Sequence, residues 1–177
     1  MIKIYVEGKS DKIFLDLLCK SLKIDEFETI SIGGNNFSSS DLKLIKEDIN
    51  DMRIKKICII LDADDDYQKT KENLQRQLKN LQNEKIKIFL FPNNQDNKEI
   101  EILLTKIAKY PHFITCFKEY IRCLKDKGTL LGEKELNKNL IYAYNQACGS
   151  GTKEICLEHY DLNHEYIKPL IDFLKTQ

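Results

Sequence analysis

The chain has 177 residues, 42% of them hydrophobic, enough to bury one sizeable core but too few for two independent full-sized domains. Twenty-eight basic residues balance twenty-eight acidic ones, so no global field draws the protein to nucleic acid or an anionic membrane, and a polyanion site has to be local or built on bound metal. After Val6 the N-terminus turns polar, without the apolar stretch of a signal peptide or membrane span, and the expectation is a soluble, cytoplasmic protein with no membrane partner.

In chain order, Ile2-Lys3-Ile4-Tyr5-Val6 is a short β-rich run, and Ile13, Phe14, Leu17, Leu18 and Leu22 then fall at the three-and-four spacing of a helix. Ser10 is the expected N-cap, and Asp11 then meets the positive helix end. Glu28–Ile32 reads as a second strand, ended by Gly33-Gly34-Asn35-Asn36, with a helix marked by Leu42, Ile45 and Ile49 behind it. Lys56–Leu61 is almost continuously apolar, as a strand covered on both faces should be, and stops at Asp62. A polar helix with Leu74, Leu78 and Leu81 leads to a fourth strand, Ile86–Phe91, closed by Pro92. The next helix carries Ile100, Leu103, Leu104 and Ile107.

From Pro111 onward the pattern gives helices only, over 113–126, 133–148 and the tail after Asn163, separated by Gly128, Gly132 and Gly149-Ser150-Gly151. Pro169 is placed in the first turn of the last helix, where its missing N–H does little harm. This order predicts an α/β fold with a four-stranded, mainly parallel sheet flanked by helices and right-handed crossovers. The expected organisation is an α/β domain over 1–108 and a helical extension over 109–177. That extension should pack on the sheet through Phe113, Phe117, Leu140, Tyr144, Phe173 and Leu174. Val6, Ile30, Ile32, Ile59, Ile60, Ile88 and Leu90 are the expected buried strand positions.

Six cysteines, Cys19, Cys58, Cys116, Cys123, Cys148 and Cys156, show no CxxC pair and no finger-spaced His, and read as small buried apolar residues. His112, His159 and His164 have no ligand spacing.

Ligands of an open parallel sheet collect beyond the carboxyl ends of its strands. There the chain places Glu7-Gly8-Lys9-Ser10-Asp11 after the first strand, Gly33-Gly34-Asn35 after the second and Asp62-Ala63-Asp64-Asp65-Asp66 after the third. Two carboxylates about 4 Å apart repel by roughly 4 kcal/mol at an effective dielectric near 20, so a cluster of them either protonates or binds cations. Oxygen-only donors suit Mg²⁺, with Mn²⁺ as a substitute, as one or two ions. Asp62 and Asp64 alternate so as to face one ion, and Glu7 completes the site or moves a proton. Repulsion in such a cluster implies that Asp64→Asn raises the melting temperature of the metal-free protein. Asp11 is equally well explained as a first-turn residue, Asp65 and Asp66 as a helix start, and Gly33-Gly34 as a tight turn.

The Val-Glu-Gly-Lys-Ser-Asp and Leu-Asp-Ala-Asp-Asp-Asp motifs together resemble the two signatures of the Toprim domain, over about residues 1–108. That resemblance implies a Rossmann-like Toprim fold, Glu7 as general acid/base, and Asp62 and Asp64 as metal ligands. In its acidic motifs the chain is similar to OLD-family nucleases, which implies Asp11 and Glu101 as further metal ligands, with Glu99 as the fallback for Glu101. Gly8, Lys9, Gly33 and Gly34 are the expected substrate-binding residues. The whole chain also looks like small stand-alone Toprim-like proteins of unassigned function. It departs from many Toprim domains in carrying Tyr67 where they have Gly after the second aspartate.

The function expected from this is Mg²⁺-dependent phosphodiester chemistry on DNA or RNA, as a small nuclease. The alternative is a non-catalytic module binding Mg²⁺ with a nucleotide or a nucleic-acid end, which the neutral net charge favours. An aspartyl phosphatase with Asp62 as nucleophile is a further reading, although here the motif ends the third strand and Asp66 follows it. Lys9, Lys12, Arg53, Lys55 and Lys56 are the candidates for a local basic patch.

Overall fold

The computed structural model describes residues 1–128, 132–150 and 154–176, without the side chains of 149 and 150. Part of the Gly149-Ser150-Gly151 break therefore lies outside the described residues. Four strands, β1 (Ile2–Val6), β2 (Phe27–Ser31), β3 (Lys56–Asp62) and β4 (Ile86–Phe91), form one all-parallel sheet in the order β2-β1-β3-β4. The helices are α1 (Lys9–Ser21), α2 (Ser39–Asn50), α3 (Tyr67–Gln77), α4 (Ile100–Lys106), α5 (Pro111–Asp126), α6 (Glu133–Asn145) and α7 (Lys168–Lys175). The architecture is that of a Rossmann-like α/β protein. None of its described helices is long and apolar enough to cross a membrane.

The period-two alternation of the strands separates two apolar layers. Ile4, Val6, Cys58, Ile60, Phe89 and Phe91 face α1, α4, α5, α6 and α7, whereas Tyr5, Ile57, Ile59, Leu61 and Leu90 face α2 and α3. All seven residues of β3 are buried, as its unbroken apolar run predicts for a strand covered on both faces. Of the expected core, Val6, Ile59, Ile60 and Leu90 are fully buried. Ile30, Ile32 and Ile88 are only half-buried, because β2 and β4 are the sheet edges and each lacks a neighbour on one side.

The expected N-cap moves from Ser10 to Gly8. The α1 helix already begins at Lys9, and the Asp11 carboxylate accepts from the Gly8 N–H at 2.8 Å. In α7, Pro169 does lie in the first turn. The α6 helix is followed by one π turn over Gln146–Ser150.

Leu140, Ile141, Tyr144, Leu170 and Leu174 belong to the same apolar cluster as Ile4 and Val6, and Phe113, Phe117 and Phe173 pack against it. The extension thus has no core of its own. Polar side chains fasten it: Tyr166 donates to Asp96 in the loop after β4 at 3.0 Å, while inside the extension Tyr144 donates to the His159 carbonyl at 2.7 Å. Buried Lys56, at the start of β3, donates to the Phe173 carbonyl and, at 2.8 Å, to that of Thr176. Its charge thereby meets the carbonyls at the C-terminus of α7.

Two sequence expectations change on this framework. Cys19 and Cys58 are buried, but Cys116 and Cys123 lie exposed on α5, whose few buried positions leave most of its surface to solvent. The basic patch does not assemble either. Lys9 sits at the carboxyl edge of the sheet, whereas Arg53 and Lys55 precede β3 and Lys56 opens it, at the opposite edge. Lys56 is buried under α7, and Arg53 is bound to Asp51 at 2.6 Å.

Candidate functional site

The chain winds from β1 through α1 to one side of the sheet and from β3 through α3 to the other, with α1 and α3 on opposite faces. The direction of winding reverses between β1 and β3, and the loops leaving their carboxyl ends diverge there to leave a crevice. Val6 pairs with Ile60 across this boundary, so Glu7, just past β1, and Asp62, the last residue of β3, lie at the ends of neighbouring strands. A cavity of about 590 Å³ opens at this point. It is lined by Glu7, Gly8, Lys9 and Asp11 from the β1–α1 segment, Asp62 from β3, and Glu101 from α4.

The loop between β4 and α4 is clasped to the end of β3: Ala63 N–H donates to the Lys98 carbonyl at 3.1 Å and Lys98 N–H returns a bond to the Asp64 carbonyl at 2.5 Å. The clasp sets the start of α4 against Asp62, whose Oδ1 accepts from the Ile100 N–H at 3.1 Å. Glu99 and Glu101 are carried in on either side. Asp62 is 7% exposed, Glu101 9% and Glu99 4%. Among the described residues, Glu7 Oε2, Glu99 Oε2 and Glu101 Oε2 are buried without a hydrogen-bond partner.

Burial of unpaired carboxylates disfavours their charged form, and neighbouring like charges add to the effect. Asp62 is pushed well above the usual carboxylate range, first by burial and then by the charges of Asp11, Glu7 and Glu101, with the Ile100 N–H opposing. Glu7 is raised by burial and then by Asp64, while Lys134 and Lys138 pull it back. Burial also raises Asp11, against its bond from Gly8, and raises Glu101, against a backbone N–H and Lys138.

Asp64 is placed differently. Its backbone is left-handed, with φ 52°, and its side chain is held by Lys134 Nζ at 2.8 Å and Asn35 Nδ2 at 3.0 Å. It does not line the cavity with Asp62. Lys134 also lies 3.9 Å from Glu99. Burial alone would lower the Lys134 ammonium, yet the Asp64 hydrogen bond and charge, with Asp62 and Glu99 behind them, hold it above its ordinary value. Asp65 is exposed to solvent, and Asp66 caps α3 by accepting from the Lys69 N–H at 3.0 Å, so both are ordinary loop and cap residues. The α3 helix starts at Tyr67, and the left-handed position in this loop is Asp64. Gly33 and Gly34 adopt positive φ in the loop that presents Asn35, away from the cavity lining.

The donor chemistry fits a hard divalent cation: the carboxylates offer only oxygen, and three of those oxygens are buried and unpartnered. As the side chains stand, however, no group of three or more acidic, His or Cys residues among those described is close enough together to hold an ion. The Lys134 ammonium takes up the charge of Asp64 instead.

Sequence reasoning missed the contribution of α6, which supplies Lys134 and Lys138. The i, i+4 spacing of these lysines is the only signal they carry, and it is common to many solvated helices. No curated protein and no solved structure matches this chain. Over residues 1–177 the chain matches, and therefore belongs to, the family described as a protein of unknown function, DUF3226.

Proposed function

We propose that the protein carries out Mg²⁺-dependent phosphodiester chemistry on nucleic acid, as a small Toprim-type nuclease. The observation that supports this most is the gathering of half-buried Glu7 with buried Asp62 and Glu101 around one cavity at the switch point, Glu7 and Glu101 each keeping a buried oxygen without a hydrogen-bond partner. Folding does not gather such groups for stability, since each buried carboxylate without a partner opposes it.

Asp62 and Glu101, with Asp11 beside them, are the residues that would hold the ion; Asp64 could join them only by leaving its pair with Lys134. A bound Mg²⁺ supplies positive charge to polarise a phosphate and favour hydroxide over water. Glu7 is suited to the proton transfer. Its buried Oε2 is free of hydrogen bonds, and its raised proton affinity brings it nearer to neutral pH, where a group can both take and give a proton.

The test is incubation of the purified protein with single- and double-stranded DNA and RNA, in Mg²⁺, in Mn²⁺ and in chelator. Cleavage that needs the metal and is lost in Glu7→Gln is the expected result. Metal binding without cleavage of any of these polymers would support the second reading, a regulatory module. That reading is favoured by the Lys134–Asp64 pair and by the dispersed basic residues.

A further inference from the structure

The cavity at the switch point has a second half that the carboxylates do not explain. Besides the carboxylates, the cavity is lined by the aliphatic side chains of Ile13, Ile100, Leu104, Ile141 and Ile155. Ile13 is 41% exposed and Tyr142 is 37% exposed, and both line this cavity. Apolar surface left open at the mouth of a polar cavity invites a ligand that has an apolar face of its own.

The α6 helix joins the two halves. Lys138, Ile141 and Tyr142 stand at i, i+3 and i+4, so one helix face presents an ammonium, an aliphatic chain and an aromatic ring to the same cavity. The charge of Lys138 acts across it on Glu7, Asp11 and Glu101. An anion lying between Lys138 and a cation on those carboxylates would be attracted from both sides. A volume near 590 Å³ lies within the range of small-molecule pockets and suits one small ligand rather than a duplex.

We infer that the cavity binds a single nucleoside phosphate unit, with its base on the Ile13 and Tyr142 wall and its phosphate between Lys138 and the carboxylate floor. This rests on the reading of the floor as a divalent-cation site. The unit is either a free nucleotide or the terminal residue of a single strand, since the two share the same chemistry. Tyr142 would act as a stacking platform, which tolerates any base because every base has a flat face.

The test is titration calorimetry in Mg²⁺ with three probes: inorganic phosphate, adenosine 5′-monophosphate and a short 5′-phosphorylated oligothymidylate. Wild type is compared with Tyr142→Ala, Lys138→Gln and Ile13→Ser, the last at an exposed position that spares the core. Tyr142→Ala and Ile13→Ser should weaken the nucleotide, by about ten-fold for Tyr142→Ala, and leave inorganic phosphate unchanged. Lys138→Gln should weaken both. Tighter binding of the oligothymidylate than of the mononucleotide identifies a strand end as the ligand, and the reverse order identifies a free nucleotide. If Mg²⁺ binds but neither nucleotide probe does, or if Tyr142→Ala and Ile13→Ser weaken phosphate and nucleotide alike, the nucleoside pocket is wrong while the cation site stands. If Mg²⁺ itself does not bind, both fall.

Discussion

Above the pH at which folded Asp62 ionises, replacing it by Asn removes a negative charge that the fold holds 7% exposed among Asp11, Glu7 and Glu101. The amide keeps the acceptor for the Ile100 N–H, now 3.1 Å from Asp62 Oδ1, so no backbone donor is orphaned. Its own N–H₂ becomes a donor beside the unpartnered oxygens of Glu7 and Glu101. Relief of a functional charge cluster typically adds about 0.5–2 kcal/mol. The near-complete burial of Asp62 and the three like charges around it place the effect in the upper part of that range, at about 1–2 kcal/mol. For a chain of this size that raises Tm by about 2–8 °C in chelator. With Mg²⁺ the order should change: an ion at a hundredfold excess over its Kd stabilises wild type by about 2.7 kcal/mol, and the variant gains less. Thermal unfolding of both proteins, with chelator and with Mg²⁺, checks this. A variant less stable than wild type in chelator would instead make Asp62 a structural partner of the Ile100 N–H and not a destabilising charge.

Asp64→Asn should behave in the opposite way in chelator, since it breaks the pair with Lys134. With side chains 31% and 45% exposed, that pair contributes at most about 1 kcal/mol, seen as a small fall in Tm. The difference in stability between wild type and Asp62→Asn should depend on pH. A carboxyl whose proton affinity is raised by folding favours the folded state at low pH. The wild type should therefore lose stability relative to the variant as pH rises from about 4, the unfolded Asp value, through the raised folded value. Unfolding titrations with urea across pH 4–8 in chelator measure that slope, and a flat difference would contradict it. Lys56→Ala should cost about 2–3 kcal/mol and speed hydrogen exchange in α7 first, because it removes the donor that holds the Phe173 and Thr176 carbonyls. Thiol alkylation in the native state should modify Cys116 and Cys123 and spare Cys19 and Cys58, whose thiols burial pushes up to about 12 and about 11.

The parts of this site that were legible in the sequence are those fixed by local pattern. The apolar run Lys56–Leu61 ends at Asp62, and the IKIYV strand ends before Glu7, so strand periodicity alone put both at the carboxyl edge. Their adjacency followed from the parallel sheet. Glu101 came only from the likeness to a known family, and the structure places it on the cavity beside Asp62. The sequence was silent where long-range contacts decide. Asp64 looks like a twin of Asp62, but a left-handed backbone turns it toward Asn35 and toward Lys134, seventy residues away. The edge positions of β2 and β4, which leave Ile30, Ile32 and Ile88 half-buried, depend on strand order and not on composition. The role of α6 in lining the cavity depends on how the extension docks, which no local signal encodes.

In the proposed function, Asp62 and Glu101, with Asp11 beside them, would hold a divalent cation at the switch point and Glu7 would move the proton. Crystals soaked in Mn²⁺ and measured at its absorption edge test this most directly. The expected result is an anomalous peak coordinated by Asp62 and Glu101, within reach of Glu7, with Lys134 drawn away from Asp64. An empty carboxylate floor with the Lys134–Asp64 pair intact, at Mn²⁺ concentrations that label other acidic surface sites, would contradict it.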